Sequence, residues 1–191
     1  MKAIEIELVS SVPLLMHKDT LVDPLNPATK AHKEMTGKKT KTDDDHIAIA
    51  KSEYIAGCYW KKDKGFYLPG PMLEAALINA AKLQKLGVKF RQGVSVLQDE
   101  LCLVGYEKKT PEQLWEDPEY RDVRGVKVQQ NKIMRYRAIF HKWKTSATVL
   151  IDENIVNLND VKKSIIEAGE RFGLGDYRPR FGRFNVEFKN V

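Results

Sequence analysis

Between Gly173 and Phe184 the chain reads GLGDYRPRFGRF, which brings three glycines (Gly173, Gly175, Gly182), three arginines (Arg178, Arg180, Arg183) and three aromatics (Tyr177, Phe181, Phe184) into twelve positions. Glycine lets a backbone turn at positive φ and approach a ligand without a Cβ in the way. Arginine grips phosphate oxygens with a planar fork, and an aromatic ring offers a face on which a base can stack. A basic glycine loop of this composition is suited to a polyanion. We expect Arg178, Arg180 and Arg183, with the loop amides, to hold phosphates, and Tyr177 to stack.

A second basic region covers residues 120–144, with eight Lys/Arg against the single acid Asp122. There Tyr136 and Trp143 interleave with Arg135, Arg137, Lys142 and Lys144, a mixture that predicts stacking beside phosphate contacts. Acidic residues concentrate elsewhere, at 43–45 and 112–122. The net charge of +6 is therefore segregated, and a segregated basic surface attracts a polyanion over about a Debye length.

Other chemistries find less support. His17, just past the first strand, is the one candidate for a general acid or base, and no second catalytic group stands at a telling spacing from it. No His-x-His, His-x3-His or Cys-x2-Cys pair suggests a metal, and no cofactor is expected. Thr36-Gly-Lys-Lys-Thr40 lacks the first glycine and the preceding strand of a phosphate-binding Walker loop. Cys58 and Cys102 are flanked by apolar residues and read as reduced thiols of a cytoplasmic protein. No apolar run approaches the length of a membrane span.

The elements that must position these groups follow from periodicity. Ile4, Ile6 and Leu8 alternate along a strand at 2–10, with no sign of a secretion signal. Residues 18–45, with Pro24, Pro27 and Gly37, read as a long mobile arm. Asp44 or Asp45 then caps a helix at about 46–58, and a hairpin is predicted at 59–68. The strongest helix, 71–86, carries Met72, Leu73, Ala76, Leu77, Ala80, Ala81 and Leu83 in one stripe and closes at Gly87. A strand at 94–105, an acidic connection at 110–118, two or three strands between 123 and 151, a helix at 159–171 and a last strand at 183–188 complete the chain. The long elements run strand, helix, strand, strand, helix, strand. That predicts a single α+β domain over 1–191, an elaborated ferredoxin-like (RRM-like) antiparallel sheet with two helices on one face. The free face is one that RNA-recognition modules use for single strands.

Two segments also carry a resemblance. Gly65-Phe-Tyr-Leu-Pro-Gly-Pro-Met-Leu-Glu-Ala-Ala-Leu77 resembles the opening of the first helix in RAMP proteins (repeat-associated mysterious proteins), the ferredoxin-like subunits of CRISPR effector complexes. Gly173–Phe184 is similar to that family's C-terminal glycine-rich loop, and the first strand with Val12-Pro-Leu-Leu15 to its first strand and turn. Pro71-Met-Leu-Glu-Ala75 departs from the family's usual Ser-Ser-Leu-Lys-Gly. The resemblance implies a nucleic-acid-binding, backbone-like subunit of a CRISPR complex, or a phage or mobile-element relative. Its expected partners are single-stranded RNA, favoured over DNA and bound largely without sequence preference, and further copies or related subunits along the strand. The arm at 18–45 would then order on the nucleic acid. Two alternative classes are a metal-independent endoribonuclease using His17 and a phage-encoded interaction module that mimics a CRISPR subunit.

Overall fold

The computed structural model describes residues 1–189. The chain is α+β, and its strands pair antiparallel throughout the described residues. The main sheet contains β1 (Lys2–Ser10), β5 (Val94–Val96), β9 (Lys144–Ile151) and β10 (Phe184–Phe188), in the order β10-β1-β9-β5. Side chains alternate across a strand, so Ile4, Ile6 and Leu8 of β1 share one face with Ala147, Val149 and Ile151 of β9. Two helices cover that face, α3 (Gly70–Leu83) and α6 (Leu158–Glu167). Leu73, Ala76, Leu77 and Ala80 of α3 and Val161 and Ile165 of α6 enter the same core. Burying each large side chain contributes about 1.5–3 kcal/mol.

The opposite face of the main sheet carries Glu5, Glu7 and Glu187 with Ser146 and Thr148. Lys144 and Lys189 pair with Glu7 there, at 2.6 and 3.2 Å. This face has no aromatic platform and is locally acidic, so it lacks the rings and the charge that single-strand recognition on an RRM-type sheet would use.

A second sheet has the order β2-β8-β7: β2 (Leu14–Met16), β7 (Arg121–Val128) and β8 (Asn131–Phe140). Its hairpin puts Asp122 opposite Arg137 and Arg124 opposite Arg135. A third small sheet joins β3 (Trp60–Lys61), β4 (Gly65–Pro69) and β6 (Glu100–Cys102).

The segment expected as an unstructured arm is largely helical. It holds a 3-10 turn at Thr20–Val22, α1 (Pro27–Thr36) and the start of α2 (Asp43–Ala56). Asn26 caps α1, accepting from the Ala28 amide at 2.9 Å. Helix α2 begins before the expected position because Thr42 and Asp45 form a capping box, each side chain accepting from the other's amide. Gly87 does not end a region of helix but opens another, α4 (Gly87–Gly93), directly after Lys85 at φ +60. The strand read at 94–105 is consequently two short strands, β5 and β6. The acidic connection folds as α5 (Pro111–Glu116), capped by Thr110 with Gln113. Helix α6 runs into a π-helical turn at Ala168–Phe172, from which the glycine loop starts.

Candidate nucleic-acid interface

Three left-handed glycines shape the loop at 173–184: Gly173 at φ +71, Gly175 at +77 and Gly182 at +76. Each lies at a close chain crossing. A Cβ on Gly182 would stand 1.7 Å from the Leu174 carbonyl oxygen, and one on Gly175 2.4 Å from that of Leu15. Five of the loop's amides are consumed by these crossings. Gly182 N–H donates to the Pro13 carbonyl (2.7 Å), Asp176 N–H to that of Leu15 (2.8 Å) and Leu174 N–H to that of Gly182 (2.9 Å). Gly173 N–H bonds back to Ala168, and Gly175 N–H lies 3.0 Å from Met72 Sδ. The expectation that loop amides hold phosphates is corrected for these five: four fasten the loop to the body, and Leu174 N–H closes the loop on itself at Gly182. The glycines serve close packing.

Those side chains project outward. Arg178, Arg180 and Arg183 are exposed, and none has an ion-pair partner among the described residues. The Tyr177 ring is half exposed (50%), stacked on Phe181 at 5.8 Å with the Arg124 guanidinium over both rings.

The basic run at 135–144 does not form one surface. Strand alternation sends Arg135 toward Glu53 of α2, Arg137 toward Asp176 of the glycine loop, and Tyr136 to the other side, against Trp115. After the β8–β9 turn, Trp143 is buried (3%) against Phe184 and donates its indole N–H to the Val12 carbonyl. It offers no face to a base, which corrects its assignment as a stacking residue. Lys142 is exposed, and Lys144 lies on the Glu7 face of the main sheet, away from the loop. Arg137 is also corrected. Its side chain is 5% exposed and pairs with Asp176 at 2.5 Å, so it is a structural cation with no phosphate-facing edge. Arg135 pairs with Glu53 of α2 at 2.7 Å and keeps one-third of its side chain exposed.

Three depressions run along the line where loop, helices and β2 meet. The first, about 300 Å³, is lined by Ala76 and Asn79 of α3 with Arg171, Phe172, Gly173, Arg178 and Pro179. The second, about 220 Å³, lies between His17, Tyr59, Met72, Asp176 and Arg178. The third, about 300 Å³, is lined by His17, Lys18, Leu21, Val22, His32, Glu53 and Arg135. Arg178 is a wall of the first two and His17 of the last two, so these side chains string the depressions into one groove. Sequence reading identified Arg178, Arg135 and His17. It missed Tyr59, Lys18 and Glu53, which stand singly in the sequence and meet only in the fold.

Electrostatics of the groove floor follow from packing. Burial pushes the His17 imidazole below its ordinary pKa, with Asp176 and Glu53 partly opposing and Arg135 adding to the shift, which favours the neutral ring. Burial pushes the Asp176 carboxyl up. The hydrogen bond from Arg137, that from the Tyr177 amide and nearby positive charge outweigh it and hold the group below the usual carboxylate range. Among the described residues no cluster of His, Cys, Asp and Glu could hold a metal ion, and no helix is long and apolar enough to cross a membrane. Compared with known proteins, the chain matches no family model and no curated protein.

Proposed function

We propose that the protein binds single-stranded nucleic acid, RNA in preference to DNA, in the groove that passes Arg178 and His17. The observation that carries this reading is the string of three depressions sharing those two side chains, beside loop arginines that no carboxylate among the described residues neutralises. An extended polyanion needs such a track: cations spaced along it, with half-exposed rings beside them. Arg178 would hold the central phosphate and Lys18 a flanking one, and Tyr59 would offer a stacking face, whereas Arg171 is already paired with Glu167 at 2.6 Å. The hairpin arginines contribute rigidity instead, since Asp122, Asp176 and Glu53 occupy them.

The strand order β10-β1-β9-β5, with α3 and α6 as crossovers, supports a ferredoxin-like frame, because it is the order in which a split βαβ pair encloses the third strand. On that frame and the glycine loop rests the further proposal that the protein is a RAMP-type subunit, repeated along a strand in a nucleoprotein assembly. Titration of labelled single-stranded RNA, single-stranded DNA and duplex at two salt concentrations tests the reading. The expected result is single-strand binding that weakens linearly in log salt, by about 0.7 per phosphate neutralised. Equal binding of duplex, or none of any strand, would refute it.

A further inference from the structure

We propose that the third depression is a base-reading pocket selective for guanine, so that the strand is read at one position within an otherwise sequence-independent track. This deepens, and rests on, the groove reading above. A pure phosphate track calls for cations, and carboxylates along it repel the ligand. This depression nevertheless holds Glu53, with a side chain only 9% exposed, beside the one-third-exposed Arg135. Taking such a pair out of water is expensive, and it stabilises a fold little. What it does present is a carboxylate acceptor fixed next to guanidinium donors, at the edge of a cavity also lined by Lys18, Asp19, His32, Leu21 and the 78%-exposed Val22. Its volume of about 300 Å³ lies at the small end of the ligand-pocket range, right for one heterocycle, and Leu21 supplies an apolar surface among the polar groups.

The polar pattern selects among the bases. Arg135 gives one N–H to Glu53 and keeps further donors, while Glu53 keeps its second oxygen. Guanine alone among the four bases carries two adjacent donors, N1–H and the N2 amino group, next to an O6 acceptor. Its donors would meet Glu53 and its O6 or N7 would meet Arg135, the pairing by which arginine most often recognises guanine. His17 completes the wall. Its Nδ1 is buried with no hydrogen-bond partner, so nothing fixes the tautomer, and the outer edge of the ring can donate or accept as the ligand requires. Gly57 backs this nitrogen closely, since a Cβ there would lie 3.7 Å from Nδ1.

The test compares GMP, AMP, CMP and UMP by amide and imidazole NMR shifts on the whole protein, alongside binding of a uridine-only oligonucleotide. GMP should bind at least about tenfold tighter than the other three and move the signals of Gly57, His32 and Lys18. Glu53→Gln should abolish that preference. Because this variant removes a buried charge and could unfold, Leu21→Trp, which fills the cavity from its partly exposed wall, should block GMP independently. Equal affinities for the four nucleotides, or GMP shifts confined to other residues, would overturn the pocket while salt-dependent oligonucleotide binding left the track intact. Guanine selectivity without oligonucleotide binding would support the pocket and remove the track.

Discussion

Replacing Arg137 by alanine is expected to destabilise the fold by about 3 kcal/mol or more, because breaking a buried ion pair leaves its partner charge without compensation. The guanidinium is 5% exposed and lies between two carboxylates. Nη1 donates to Asp176, whereas Nε sits 3.4 Å from Asp122 Oδ2, close enough for charge attraction but outside hydrogen-bond geometry. Asp122 keeps Arg124 after the change, and Asp176 is partly exposed, so the cost belongs at the lower end of the 3–5 kcal/mol range. For a chain of this size that is a fall in Tm of roughly 6–12 °C. Arg137→Lys should recover only part of the loss, since an ammonium cannot span two carboxylates with a planar fork. Because the folded Asp176 pKa is depressed, the pair's contribution is complete above the ordinary carboxylate range and disappears as pH falls below it. The wild-type and Ala Tm values should therefore converge in acid. A Tm unchanged at neutral pH would show that the cluster does not hold the loop to the hairpin.

Gly182→Ala should cost a comparable amount by a different route. A non-glycine residue at left-handed φ loses about 1–2 kcal/mol, and the added Cβ would collide with the Leu174 carbonyl at 1.7 Å. Relieving that collision breaks the hydrogen bonds linking Gly182 to Pro13 and Leu174, each worth about 0.5–1.5 kcal/mol. The total is roughly 3 kcal/mol, and the displaced loop carries Arg178 out of the groove. Gly105 is the control: it is also left-handed, at φ +89, but nothing lies within 4 Å of a Cβ there. Gly105→Ala should show the backbone strain alone. Thermal melts of the two variants decide the matter, and equal Tm losses would mean that the loop is not locked at its crossing.

Legibility in the sequence followed periodicity. Strand β1, helices α3 and α6 and strand β10 were all readable because their buried residues are large, apolar and regularly spaced. Helix α2 was readable from Ala50 and Tyr54, with its start placed a few residues late because the cap is Thr42. Helix α1 was not, because it buries only Thr29, and a helix held by its cap leaves no hydrophobic stripe to find. The site was legible in part for a related reason. Composition located the loop arginines, but the run Arg135–Lys144 looked like one surface only while the period of two was ignored. Alternation gives Arg137 to the loop and Tyr136 to Trp115, and the next turn sends Trp143 inward and Lys144 to Glu7. The charges that neutralise the hairpin, Glu53 and Asp176, come from distant segments, and no local pattern announces them.

Loop and hairpin thus meet, but with different tasks: Arg137 of the hairpin fixes the loop in place through Asp176, and Arg178 faces the groove. The salt dependence of single-stranded RNA binding separates the two directly. Lys18→Ala with Arg178→Ala, on the groove, should flatten the log–log slope by about 1.4, which is about 0.7 for each of two phosphate contacts. Lys142→Ala with Lys144→Ala, off the groove, removes the same charge and should leave the slope unchanged. A slope lost in the second variant and kept in the first would place the nucleic acid elsewhere and contradict the account.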